Sequence, residues 1–139
     1  MKRAGMIVAA LAALLGGCSG APRDNLTCDL TYSMLAGPIT IESQAQVVFE
    51  LNISQLGNTY TVRDVTVREA WTGRGEADPW RLFIVGRERP IARIEGDVVT
   101  LFEIDERPFT INRTTGDAGW SSSAPMGETE YYGGCTPAA

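Results

Sequence analysis

The chain has no histidine, and its single lysine, Lys2, stands at the very start. Without histidine the commonest general base and metal ligand is missing, which weighs against most hydrolase and metal chemistries. If residues 1–17 are set aside, ten arginines face seventeen carboxylates, a net charge of -7 against -5 for the whole chain. An acidic balance gives no positive field to attract nucleic acid, so none is expected as a partner. Long apolar runs are also scarce. The one conspicuous run, Ala4 to Leu15, has 12 residues. As a helix it would reach about 18 Å, short of a hydrocarbon core of about 30 Å. There are no internal repeats, no low-complexity tracts and no stretch with a helical period. Cysteine is limited to three positions, 18, 28 and 135.

What is present begins with the first eighteen residues. Lys2 and Arg3 make a positive start, the apolar run follows, and Leu15-Gly16-Gly17-Cys18 closes it. This order of charge, short apolar run and small residues is that of a signal peptide. Its last four residues resemble the lipobox of bacterial lipoproteins, in which a leucine and two small residues precede a cysteine. The resemblance implies that the Cys18 thiol receives a diacylglyceryl group. It implies cleavage before Cys18 and, usually, acylation of the new amino terminus. Two or more acyl chains hold a protein durably to a membrane, whereas one holds it weakly. In that family aspartate after the cysteine tends to retain the protein in the inner membrane. Ser19 in that place implies the outer membrane, facing the periplasm. The expected organisation is a signal peptide at 1–17, a lipidated cysteine and short tether at 18–25, and a β domain at 26–139. Ser19 to Asn25 spans at most about 25 Å, which keeps the domain close to the membrane.

In such an oxidising compartment Cys28 and Cys135 can pair only with each other once Cys18 is lipidated. A bridge there closes a loop of more than 100 residues, worth about 4–5 kcal/mol in the chain-entropy account. It also requires the first and last elements of the domain to be neighbours.

Periodicity supplies the fold. Leu26, Cys28, Leu30, Tyr32 and Met34 alternate with Thr27, Asp29, Thr31 and Ser33, the mark of a half-buried strand. Odd positions from Ile39 to Ile53 are mostly apolar and even ones mostly polar; the length predicts a bend near Ser43 to Ala45, or two strands. From Thr59 to Trp71 the apolar parity shifts between Val62 and Val65, which predicts a bulge at Arg63-Asp64. Trp80 to Val85 is apolar at both parities and reads as a central strand. Gly96-Asp97 is a two-residue hairpin turn between Ile91–Glu95 and Val98–Ile104. Further strands are expected at 109–113, 120–123 and 129–135, with a loop over 122–128. The prediction is an all-β domain, a single antiparallel meander barrel or a sandwich of seven to nine strands.

Chemistry is thin. Ser121, Ser122 and Ser123 are not in a nucleophile elbow, and no histidine or lysine serves them as base. Glu103, Asp105 and Glu106 form a small acidic group, most simply read as solvated strand ends. No catalytic residue, metal ligand or cofactor is assigned, and the protein is read as a non-enzyme. Two features could contact a partner. Trp71 and Trp80 bracket a loop that carries Arg74, and aromatics with arginine are the side chains enriched at interface centres. Tyr131 and Tyr132 must point to opposite faces of the last strand, so one of them faces outward. The expected function is a lipid-anchored binding or structural module for an envelope protein or glycan. Two alternatives are an inhibitor of a lysozyme-like hydrolase and a barrel for a small ligand. The layout is similar to that of the lipid-anchored C-type lysozyme inhibitors, although their tyrosine, tryptophan and lysine motif around Ser-Gly-Ala has no counterpart in this chain.

Overall fold

The computed structural model describes residues 23–69, 79–104, 107–124 and 127–137. Nine strands form one antiparallel sheet: β1 Arg23–Ala36, β2 Ile39–Asn52, β3 Thr59–Glu69, β4 Glu88–Pro90, β5 Arg93–Glu95, β6 Val98–Ile104, β7 Arg107–Asn112, β8 Asp117–Ala124 and β9 Gly127–Pro137. The strand order is β4-β3-β2-β1-β9-β8-β7-β6-β5. The two edge strands are thus consecutive in sequence, with only Ile91 and Ala92 between them. Ile91 donates its amide to Asn58 O (3.0 Å), beside β3, and Ala92 donates to Thr100 O on β6 (3.0 Å). Adjacent residues therefore bond to opposite edges of the sheet, and the sheet curls into a barrel-like meander. Every sequential pair of strands but β4 and β5 is a hydrogen-bonded neighbour, and β9 closes back on β1.

The alternation read from sequence decides what lies inside. Leu26, Cys28 and Leu30 of β1, Val47, Phe49 and Leu51 of β2, Val99 and Leu101 of β6 and Phe109 and Ile111 of β7 are all buried. A barrel of about eight strands is just wide enough to be filled by such side chains. Its centre is aromatic: Phe83 packs edge-on against Phe49, Phe109, Phe102 and Tyr131, with ring centroids 5.7–6.1 Å apart. Edge-to-face pairs at such distances add to the burial itself. Cys28 and Cys135 face each other across β1 and β9 and are joined by a disulfide with an S–S distance of 2.00 Å.

β2 is one strand rather than two, with a register irregularity between Gln44 and Ala45 where a bend is expected. A second shift opposes Val48–Phe49 to Asp64 and Val62, which leaves Arg63 as the extra, exposed residue of a bulge. That bulge lets both Val62 and Val65 reach the core despite their different parity.

Two expectations are corrected. Residues 80–85 form no strand; turns run through 79–82, and only Val85 makes a single parallel bridge, to Val62. The segment is apolar at both parities because Trp80 and Phe83 dive into the barrel end, three residues apart, while Leu82 and Val85 stay exposed. The expected loop over 122–128 is mostly strand: β8 runs to Ala124 and β9 starts at Gly127, paired from Ser121↔Glu130 to Ala124↔Gly127. Backbone hydrogen bonding needs no apolar alternation, so serine-rich residues can extend a hairpin already fixed by Trp120 and Tyr131.

Candidate functional site

The strands alternate in direction, so the barrel has two distinct ends. One holds the β1–β2 turn at Gly37-Pro38, the end of β3 at Glu69, the turn of residues 79–82 that carries Trp80, and the β8–β9 hairpin end. The other holds the chain entry at Arg23, the turns at 53–58, 96–97 and 113–116, and the exit at Pro137.

Of the sequence candidates, Trp71 and Arg74 lie outside the described residues. Trp80 is 4% exposed and sits in the first of these ends as a plug. Its indole Nε1–H donates to Ser43 Oγ (3.0 Å), and the buried Ser43 hydroxyl donates in turn to Glu69 O (2.8 Å). Tyr131 donates its hydroxyl to Pro79 O, on the other side of the same segment. Trp80 stacks on Phe83 and meets Tyr131 edge-on. The turn is thereby fixed to β2, β3 and β9 by buried polar contacts, which are satisfied within the protein as burial requires. Trp80 works as its anchor.

The tyrosine pair resolves into one inward and one outward residue. Tyr131 is buried against Tyr32 and Trp120, whereas Tyr132 is 44% exposed. Tyr132 stands opposite Gly119 of β8. Beside them an open cleft of about 790 Å³ follows β8 along the outer wall. Its floor is Gly119, which has no side chain to fill it. One side carries Arg107, Pro108, Thr110 and Asn112 of β7; the other carries Glu130 and Tyr132 of β9.

The cleft exists because β7 and β8 pair at only two positions, Thr110↔Gly119 and Ile111↔Ala118. Beyond them the strands splay. Gly116 N donates to Asn112 O, so Asn112, Thr110 and Pro108 direct their backbone groups towards β8, by alternation. Proline has no N–H to offer, and at position 108 the ladder ends. Trp120 fills the split from inside, donating its indole N–H to Arg107 O (3.0 Å). The sequence signals for this site are Pro108, Gly119 and the exposed member of the tyrosine pair. Only the strand register brings them together.

Electrostatically the described surface is a set of arginine–carboxylate pairs. Arg68 meets Asp29 at 3.0 Å, Arg93 meets Glu103 at 3.4 Å, Glu50 receives both Arg23 and Arg63, and Arg113 meets Asp24. Glu103 is thus an exposed ion-pair member; Asp105 and Glu106 lie outside the described residues. Burial raises the phenols of Tyr32 and Tyr60 above their ordinary range, opposed by hydrogen bonds from Thr129 and Arg89 respectively. Among the described residues no group of three or more His, Cys, Asp or Glu side chains could hold a metal ion. Compared with family models, curated proteins and solved structures, the chain matches none.

Proposed function

We propose that this is a lipid-anchored protein of the bacterial envelope, held through Cys18 in the outer membrane on its periplasmic side. Its β domain binds an envelope glycan and does not turn over a substrate. The lipobox resemblance of Leu15 to Cys18 supports the address. The absence of histidine and the engagement of Cys28 and Cys135 in a disulfide support a non-catalytic role.

The observation that carries binding is the cleft over Gly119 beside the exposed ring of Tyr132. Its shape follows a strand, as a linear polymer would. Its lining sets the polar groups of Arg107, Thr110, Asn112, Asp117 and Glu130 beside an apolar surface of similar extent, which includes Val98, Pro108 and the phenol face of Tyr132. Sugar rings present hydroxyls to the former and an apolar C–H face to the latter.

The test is titration calorimetry of the domain lacking residues 1–18 with soluble peptidoglycan fragments. Tyr132→Ala should weaken binding at least about tenfold, or about 1.4 kcal/mol, with an unchanged melting temperature because the ring is exposed. Unaltered binding by this variant refutes the cleft as the site. Failure of every glycan, with capture of an envelope protein that depends on Tyr132, replaces the glycan by a protein partner. For the address, Cys18→Ser should move the protein from the membrane to the soluble fraction.

A further inference from the structure

The meander fixes which end of the barrel faces the membrane, an inference that rests on lipidation of Cys18. Arg23 begins β1, and its partner across the sheet is Asn52, at the end of β2. Asn52 pairs with Thr59 across the turn 53–58. Leu26 pairs with Pro137, so the chain exit lies at the same end. Five Cα–Cα steps separate Cys18 from Arg23, at most about 18 Å of chain. The entry point itself is held to the barrel: Arg113 pairs with Asp24, and Arg23 lies 3.4 Å from Glu50.

At the tip of the 53–58 turn, on this same end, Leu56 is fully exposed, at 102%. The turn that carries it is tightly built. Ser54 Oγ accepts from Leu56 N (3.3 Å) and Gly57 N (3.0 Å) and donates to Gly57 O (2.5 Å), while Asn58 Oδ1 accepts from Ser54 N (2.9 Å). A solitary exposed leucine is ordinary on a protein surface. A leucine held outward by four hydrogen bonds, on the end to which a lipid is tied, is placed where an apolar side chain has a partner.

We infer that this end rests on the bilayer and that Leu56 enters the headgroup boundary. The partner surface is the lipid that anchors the chain. One leucine would bind a membrane feebly from solution. With the tether present the contact is intramolecular, and a high effective concentration makes a weak contact count. Binding at the interface scales with the apolar area buried there, so a leucine seated in it adds to the hold of the acyl anchor. Asp24 and Glu50, beside the entry, are paired with arginines, which limits repulsion from anionic headgroups there, while Asp97 in the turn at the same end adds one exposed carboxylate. The plugged end with Trp80 then faces away from the membrane, and the cleft along β8 stands on the side wall.

The full, lipidated protein tests this in vesicles of phosphatidylethanolamine and phosphatidylglycerol containing a headgroup-labelled nitroxide lipid. With Cys18 lipidated and Cys28 bonded to Cys135, one introduced cysteine takes a fluorophore uniquely. The label is placed at Gln55→Cys, or at Leu82→Cys on the opposite end. Quenching should be several-fold stronger at 55 than at 82, and Leu56→Asp should lower it at 55. Intact mass establishes the anchor first. A protein without the lipid mass overturns the anchor and the orientation together. A lipidated protein quenched equally at both labels, or more at 82, overturns the orientation and leaves the anchor standing. Stronger quenching at 55 that Leu56→Asp does not change overturns the insertion of Leu56.

Discussion

Replacing Gly133 with alanine puts the seam between β1 and β9 to a quantitative test. A methyl group there would sit 2.0 Å from Asp29 O and 3.1 Å from the Leu30 Cα. Carbon–oxygen contacts normally begin near 3.3 Å, so the strands would have to part by more than 1 Å, roughly. Both obstructing atoms belong to the backbone, and no side-chain rotation relieves them. Parting two strands by that amount stretches hydrogen bonds of about 2.9 Å past the range in which they count. Two such bonds, at about 1 kcal/mol each, and the resistance of the nearby Cys28–Cys135 link set the scale. We expect a loss of about 3 kcal/mol, at the upper end of typical overpacking costs. The neighbouring Gly134 is the control, since nothing lies within 4 Å of a methyl group there. Gly134→Ala should change stability by no more than about 0.5 kcal/mol. Urea titrations of the domain lacking residues 1–18, followed by tryptophan fluorescence, provide the readout. With a slope of about 1–3 kcal/mol per molar, the two midpoints should differ by roughly 1–3 M. Coincident midpoints would refute the close approach of β1 and β9 at Gly133.

Three further outcomes are expected. Replacing Cys28 and Cys135 together with alanine should cost about 2–5 kcal/mol, and non-reducing peptide mapping of the native domain should recover them as one linked pair. Trp80→Ala should cost about 3–5 kcal/mol through the cavity it leaves beside Phe83 and Tyr131, measurable as a fall in urea midpoint. Burial holds the phenols of Tyr60 and Tyr32 neutral beyond the usual tyrosine range. The unfolded chain ionises first as pH rises, so the stability these groups contribute is complete below about pH 10 and lost above it. Tyr60→Phe should flatten that alkaline decline, as read by urea midpoints across the range.

Alternation made the long strands legible. In β1 and β2 nearly every second residue is apolar, Ser43 being the buried exception in β2, and one buried face is enough to specify the register. Even the bulge at Arg63 shows in sequence, as a break in parity between Val62 and Val65. The segment from Trp80 to Phe83 defeats the same rule. An apolar run at both parities reports burial, and burial at a barrel end requires no strand. β4 escapes notice for the opposite reason: Glu88-Arg89-Pro90 is charged and ends in proline, yet three residues at a sheet edge need little more than their backbone. The cleft is a property of pairing. Nothing local says that Gly119 lies under Tyr132, or that β7 meets β8 only at Thr110 and Ile111; the register of three strands decides both.

The position of β9 has a consequence for how the molecule comes into being. The strand made last lies between β1, made first, and β8. Until it arrives, β1 keeps an open edge and Cys28 has no partner, because 107 residues separate it from Cys135. At ordinary rates of synthesis those residues take roughly 5–20 s to emerge. Throughout that interval the growing chain cannot shut its sheet, however well its hairpins form. For the exported protein proposed above, which would cross a membrane before it folds, such a delay is a gain. Its closing step waits for its final residues, and its covalent lock waits for a compartment that oxidises thiols.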